Sequence, residues 1–142
     1  MEKLKRVKKR LDTLSKALKN LDKAIIELNS LENNNRLYEF IRESVITRFE
    51  YTLELLWKCL KSYLEDVEGL IVPSSPRGVI IEAKNNSLIT SLQAQYLNDM
   101  VDDRNLSSHV YHEDIASKIV SDVLKYYLIL QEIKNKIEEK LT

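Results

Sequence analysis

The chain has 142 residues, 44% of them apolar and 31% charged. Burial on that scale offsets the entropy of ordering the chain, which excludes a disordered protein and suits one domain around one core. Lysine and arginine together number 22 and so do aspartate and glutamate, so overall charge selects no particular partner.

With only two glycines and two prolines, long helices are expected rather than many short strands. The first segment repeats Leu4, Val7, Leu11, Leu14, Leu18, Leu21, Ile25 and Leu28 at alternating spacings of three and four. That period gives a long helix with one narrow apolar seam. The seam could pair as a coiled coil, or pack along its own bundle, which is the commoner arrangement in small helical domains. The same segment is basic: residues 1–23 hold nine lysines and arginines against Glu2, Asp12 and Asp22. The polar run Glu32-Asn33-Asn34-Asn35 ends it.

A second helix is expected from about Leu37 to about Val67, with Leu37, Ile41, Phe49, Leu53, Leu56, Leu60 and Leu64 on its core face. Glu50, Glu54 and Lys58 form a polar row on another face, with Glu54 and Lys58 in the favourable order for an ion pair. Gly69 is a plausible stop. In the loop Val72-Pro73-Ser74-Ser75-Pro76-Arg77-Gly78, Ser75 reads as an N-cap before a first-turn proline. A short helix from Pro76 to about Lys84 follows, then one from Ile89 to about Asp103. A break is expected near Ser107 to His112. The last helix starts at about Glu113 and carries Ile115, Ile119, Val123, Tyr126 or Tyr127, Leu130, Ile133 and Ile137. Glu113 and Asp114 suit its first turn, where the helix dipole favours negative charge.

Chemistry-bearing residues are few. Cys59 is the only cysteine, which excludes an intrachain disulfide and a cysteine metal cluster, and it reads as buried rather than reactive. Tyr51, Trp57 and Tyr63 could stack bases, but their helical setting favours core packing. There is no phosphate-cradling glycine loop, no GxSxG and no CxxC. No apolar run reaches membrane-spanning length and no signal-peptide core opens the chain, so a soluble cytoplasmic protein is expected.

Both histidines, His109 and His112, lie close together. Imidazole exchanges a proton near neutral pH, and a guanidinium such as Arg104 can hold two phosphate oxygens. An unbroken helix would put Arg104 and His109 about 140° apart around its axis. Convergence needs a helix break or a second chain, and the expected break supplies the first. The spacing alone fits a surface arginine and a helix-capping histidine better than a site. No third ligand stands out beside the histidines, although Glu113 and Asp114 are near, so neither a metal nor another cofactor is expected.

Three segments carry a resemblance: Phe49-Glu50-Tyr51-Thr52-Leu53-Glu54-Leu55-Leu56-Trp57-Lys58, the loop Ser75-Pro76-Arg77, and Arg104-Asn105 through His109 to Tyr111-His112-Glu113. In this order they resemble the nucleotidyltransferase substrate-binding protein family of the HEPN superfamily, over about Leu37 to Tyr127. The resemblance implies an all-α antiparallel bundle of about five helices, a single domain over 1–142. Its heptad-patterned N-terminal helix would take 1–31 and the motif-bearing bundle 36–140.

The resemblance also implies a homodimer that brings two Arg-x4-His motifs into one cleft. Many such proteins are metal-independent ribonucleases, toxins paired with a minimal nucleotidyltransferase antitoxin. Carried over by position, His109 would be general base or acid and Arg104 would steady the phosphorane. Asn105, Ser108 and His112 would support the site, and Tyr111 would receive AMP from the transferase. The alternative is a non-catalytic nucleotide- or substrate-binding subunit of a two-component nucleotidyltransferase. A purely structural dimerisation module is a third reading, favoured only by the heptad seam.

Overall fold

Each segment with the three-four apolar period is helical in the computed structural model, which describes residues 1–109 and 113–142, Ser108 and His109 through their backbone alone. The order is α1 (Glu2–Asn29), α2 (Tyr38–Asp66), α3 (Pro76–Asn85), α4 (Ser91–His109) and α5 (Glu113–Lys140). Among the described residues there is no strand, so the fold is the expected all-α bundle of five helices.

The seam of α1 is satisfied within the chain. Val7, Leu11, Leu14, Leu18, Leu21, Ile25 and Leu28 are buried against α2 and α5. Each such side chain contributes roughly 1.5–3 kcal/mol by leaving water. Arg6 near the start of α1 holds Asp66 at the end of α2 through two hydrogen bonds of 2.9 Å, so these helices run antiparallel. Pairing of Gln93 with Glu132 and of Asp103 with Lys118 makes α4 and α5 antiparallel too.

On α2, Phe49, Leu53, Leu56, Leu60 and Leu64 are buried as expected, and Phe49 stacks on Tyr126 of α5 at 5.4 Å between ring centroids. Leu37 is a correction: it is 52% exposed. Its N–H is taken by the Asn35 side chain at 2.8 Å, a turn that keeps Leu37 outside the helix. Tyr51 is another: Trp57 and Tyr63 are buried, but Tyr51 is 55% exposed. It lies opposite the Phe49–Leu53–Leu56–Leu60 face, and a helix packed on one face leaves the other to solvent.

The α2 helix stops where Gly69 takes a φ of 71°, a left-handed conformation that costs glycine little. Ser75 caps α3 by accepting the Gly78 N–H at 3.2 Å, with Pro76 at the first position. A Cβ on Gly78 would stand 2.7 Å from the Pro73 ring, so the turn needs glycine there. The α4 helix begins at Ser91, two residues later than expected. Thr90 and Gln93 exchange reciprocal hydrogen bonds of 3.0 Å in a capping box, which leaves Leu88 and Ile89 in the preceding loop, buried in the core.

The other end of α4 corrects the expected break. The helix does not end at Asp103 or loosen at Ser107; its backbone is helical through His109. The last helix starts at Glu113 as expected, with Ile119, Val123, Tyr126, Leu130, Ile133 and Ile137 buried. Among the described residues, no helix is long and apolar enough to cross a membrane.

Candidate functional site

Arg104 is half-buried in the last turns of α4, facing α2. One residue earlier, the Asp103 carboxylate is buried and fixed to α5: Lys118 Nζ donates to its oxygens at 3.0 and 2.9 Å, and the Tyr126 hydroxyl donates at 2.7 Å. Burial alone would push the Lys118 ammonium down. Hydrogen bonds to Asp103, Tyr126 and Asp122 outweigh it and hold Lys118 above its ordinary range. Burial, then the neighbouring Asp103, pushes the Tyr126 phenol up. Both groups therefore keep their protons, and the cluster acts as a clamp rather than a proton relay.

A second contact ties the motif to α2. The Ser107 hydroxyl lies 3.0 Å from a Glu50 carboxylate oxygen and 3.0 Å from the Arg104 carbonyl. One turn along α2, burial raises the Glu54 carboxyl, but hydrogen bonds from Trp57 and Lys58 and the charges of Lys58 and Arg104 draw it below its ordinary value. Glu54 is thus an ionised counter-charge for Arg104. The nearly buried Arg42 guanidinium makes a two-pronged ion pair with Glu113 at the start of α5. Two ion pairs thus hold α5, one from α2 and one from α4.

Arg104 and Asn105 stand on α4, with Asn105 at the surface. Ser108 and His109 lie on the same helix, their side chains outside the described residues, and Tyr111 and His112 lie outside the described residues altogether. Because α4 is unbroken, the Cα atoms of Arg104 and His109 are about 140° apart around its axis. Asn105, four positions before His109, shares its helix face. A break between arginine and histidine is therefore not available to make them converge, and a second chain is the remaining route. Among the described residues, no three His, Cys, Asp or Glu stand close enough to hold a metal ion.

Sequence reasoning did not find the Asp103–Lys118–Tyr126 clamp or the Arg42–Glu113 pair. The only signal was a charged residue at a helix position that the core occupies, since Asp103 follows Met100 by three. The polar row Glu50, Glu54, Lys58 was visible, but its partners on α4 were not.

Residues 9–139 match a family described as nucleotidyltransferase substrate binding protein like. The chain belongs to that family. A protein of Thermus thermophilus, known from its crystal structure, is 34% identical to this family member, covering 82% of this chain and 98% of its own, with a TM-score of 0.66. A tri-AMPylated Shewanella oneidensis HEPN toxin, solved in complex with its MNT antitoxin, is similar in fold. It is 19% identical, covers 94% of this chain and 96% of its own, and has a TM-score of 0.69. A mutant of the toxin–antitoxin pair MntA–HpeT provides another likeness, 20% identical over 90% of this chain and 98% of its own, with a TM-score of 0.66. No curated protein matches.

Proposed function

We propose that this family member is a HEPN-type toxin: a metal-independent endoribonuclease, active as a homodimer and neutralised by a cognate minimal nucleotidyltransferase. The observation that carries this reading is the run Arg104-x4-His109-x-Tyr111 at the end of α4, in a chain whose fold is shared with the Shewanella oneidensis HEPN toxin. The helical backbone through His109 supports a site shared between two protomers, because one helix keeps Arg104 and His109 on different sides.

In the proposed chemistry a ribose 2′-oxygen attacks the adjacent phosphorus. His109 of one protomer takes the 2′-OH proton, and His109 of the second gives a proton to the departing 5′-oxygen. The products are a 2′,3′-cyclic phosphate and a 5′-hydroxyl end. Arg104 supplies fixed positive charge to the phosphorane oxygens, the kind of preorganised stabilisation typically worth 10²–10³ in rate per donor. Asn105 orients the site, with Ser108 and His112 as polar support.

Neutralisation follows from charge. The Tyr111 phenol oxygen attacks the α-phosphorus of ATP in the transferase, pyrophosphate leaves, and the phenol proton passes to solvent. The attached phosphate competes with RNA phosphate for Arg104, and the adenosine blocks approach. A non-catalytic substrate-binding subunit is the second reading, favoured by the family's own description.

The test is expression in a bacterial host. Wild type is expected to arrest growth, and His109→Ala is not. Co-expression with the transferase encoded beside it should add one or more AMP masses to the intact protein at Tyr111. Arrest of equal depth by a folded His109→Ala protein overturns the ribonuclease reading, and full neutralisation with Tyr111 unmodified overturns the AMP mechanism.

A further inference from the structure

The basic N-terminal segment has no part in the proposed site, yet the fold gives it a definite place. The start of α1 and the end of α2 enclose a groove of about 480 Å³, lined by Arg6, Arg10, Trp57, Lys58, Lys61 and Asp66 among others. A second concavity of about 270 Å³ shares Arg6 and Arg10 and adds Lys9, Thr13 and Leu55. Three of the cations are engaged: Arg6 with Asp66 at 2.9 Å, Lys58 with Glu54 at 3.2 Å and Lys61 with Glu65 at 2.8 Å. Lys9 and Arg10 are exposed and enter no ion pair among the described residues.

Two further features define what the groove suits. Tyr51 is 55% exposed, on the solvent face of α2 one turn before Leu55, so an open aromatic ring borders the row of cations. The groove also continues toward the motif: Trp57 Nε1 donates to Glu54 at 3.0 Å, and Glu54 is the carboxylate that Arg104 faces. A protein-docking face would need large apolar anchors at its centre. The groove lining includes none of the exposed large hydrophobic side chains. Unpaired cations around a polar concavity with one exposed aromatic ring match the way single-stranded nucleic acid is held.

We propose that the α1–α2 groove is an RNA-backbone exosite: Lys9 and Arg10 bind phosphates, Tyr51 stacks a base, and the strand runs on toward Arg104. This rests on the ribonuclease reading for its RNA, but binding can be measured without cleavage. The basic surplus of residues 1–23 then has a use that overall neutrality conceals.

The test uses the full chain and a fluorescent, single-stranded 2′-O-methyl RNA 20-mer, which cannot be cut through its 2′-oxygen. Anisotropy is read across a salt series for wild type, Lys9→Glu/Arg10→Glu, Tyr51→Ala, and the control Lys84→Glu/Lys136→Glu, which lies outside the groove. The double reversal should weaken binding by tenfold or more and flatten the salt dependence by about 0.7 for each phosphate no longer held. Tyr51→Ala should weaken it about fivefold or more, consistent with the loss of one base stack. The control should lose less than threefold.

Equal loss in control and groove variants overturns the exosite, as does unchanged binding by the groove variants. Loss of transferase binding with RNA binding intact also overturns it and makes the groove a protein dock. If wild type cuts no unmodified RNA but the groove-dependent binding persists, the ribonuclease reading fails and the exosite stands. If wild type cuts RNA and the groove variants bind and cut equally well, the reverse holds.

Discussion

Asp103 and Lys118 join α4 to α5 by a charged contact of 2.9 Å immediately before Arg104, with the Asp103 side chain almost wholly buried. Removing the carboxylate strands Lys118 and the Tyr126 hydroxyl, which both point at it. Breaking a fully buried pair costs roughly 3–5 kcal/mol. Because the Lys118 side chain is 49% exposed, Asp103→Ala should cost less, about 2 kcal/mol. The urea midpoint should fall at unchanged slope; an unshifted midpoint contradicts the clamp.

The Arg6–Asp66 contact makes stability sensitive to acid. Its hydrogen bonds hold the Asp66 carboxyl below its ordinary value, against a smaller opposing effect of burial. With the folded value depressed, the unfolded chain binds more protons, so the contribution is present above about pH 4 and lost as pH falls further. Arg6→Met should therefore lower the thermal midpoint at pH 6 and make less difference at pH 2. A difference that stays constant across that range removes this linkage.

Cys59 is buried, and burial pushes its thiol up to about 12. At pH 8 only about one molecule in 10⁴ then carries the thiolate that reacts. A chromogenic disulfide reagent should modify the folded protein at least a hundredfold more slowly than the urea-unfolded chain. Equal rates would show that the site is open.

The fold was legible because its signals were local and repeated. The seam from Val7 to Leu28, the Ser75-Pro76 cap and the acidic first turn at Glu113 each follow from neighbours along one helix. The Thr90–Gln93 capping box was equally local, and passing over it put the start of α4 two residues early. Tyr51 and Leu37 were misplaced because an apolar or aromatic residue at a helical spacing can sit on the edge of a packed face as readily as inside it. At the candidate site, Arg104 and its Glu50–Glu54 row could be picked out, but the partners join residues 57 and 71 positions apart, as in Ser107–Glu50 and Arg42–Glu113. No periodicity reports such pairs. The break expected at Ser107 came from a run of small polar residues, and the helix overrides that weak propensity by packing α4 on α5.

The unbroken α4 gives a test of the shared site. If each cleft takes Arg104 from one protomer and His109 from the other, Arg104→Ala and His109→Ala proteins are each inactive alone. Unfolding them together and refolding the mixture yields heterodimers with one Arg104 and one His109 on opposite chains. Such mixtures should regain at least a tenth of wild-type cleavage. No regained activity, with heterodimers verified by native mass spectrometry, would place both residues of a working site on one chain.

The central claim is that Arg104 and His109 cut RNA. The direct measurement is cleavage of a single-stranded RNA by purified wild type, Arg104→Ala and His109→Ala, each verified as folded by circular dichroism, with a chelator present throughout. Wild type should leave 2′,3′-cyclic phosphate ends, and each variant should lose at least 10² in rate, as expected for a lost transition-state donor or proton carrier. Folded His109→Ala cleaving at the wild-type rate, or wild type leaving the RNA intact, would contradict it.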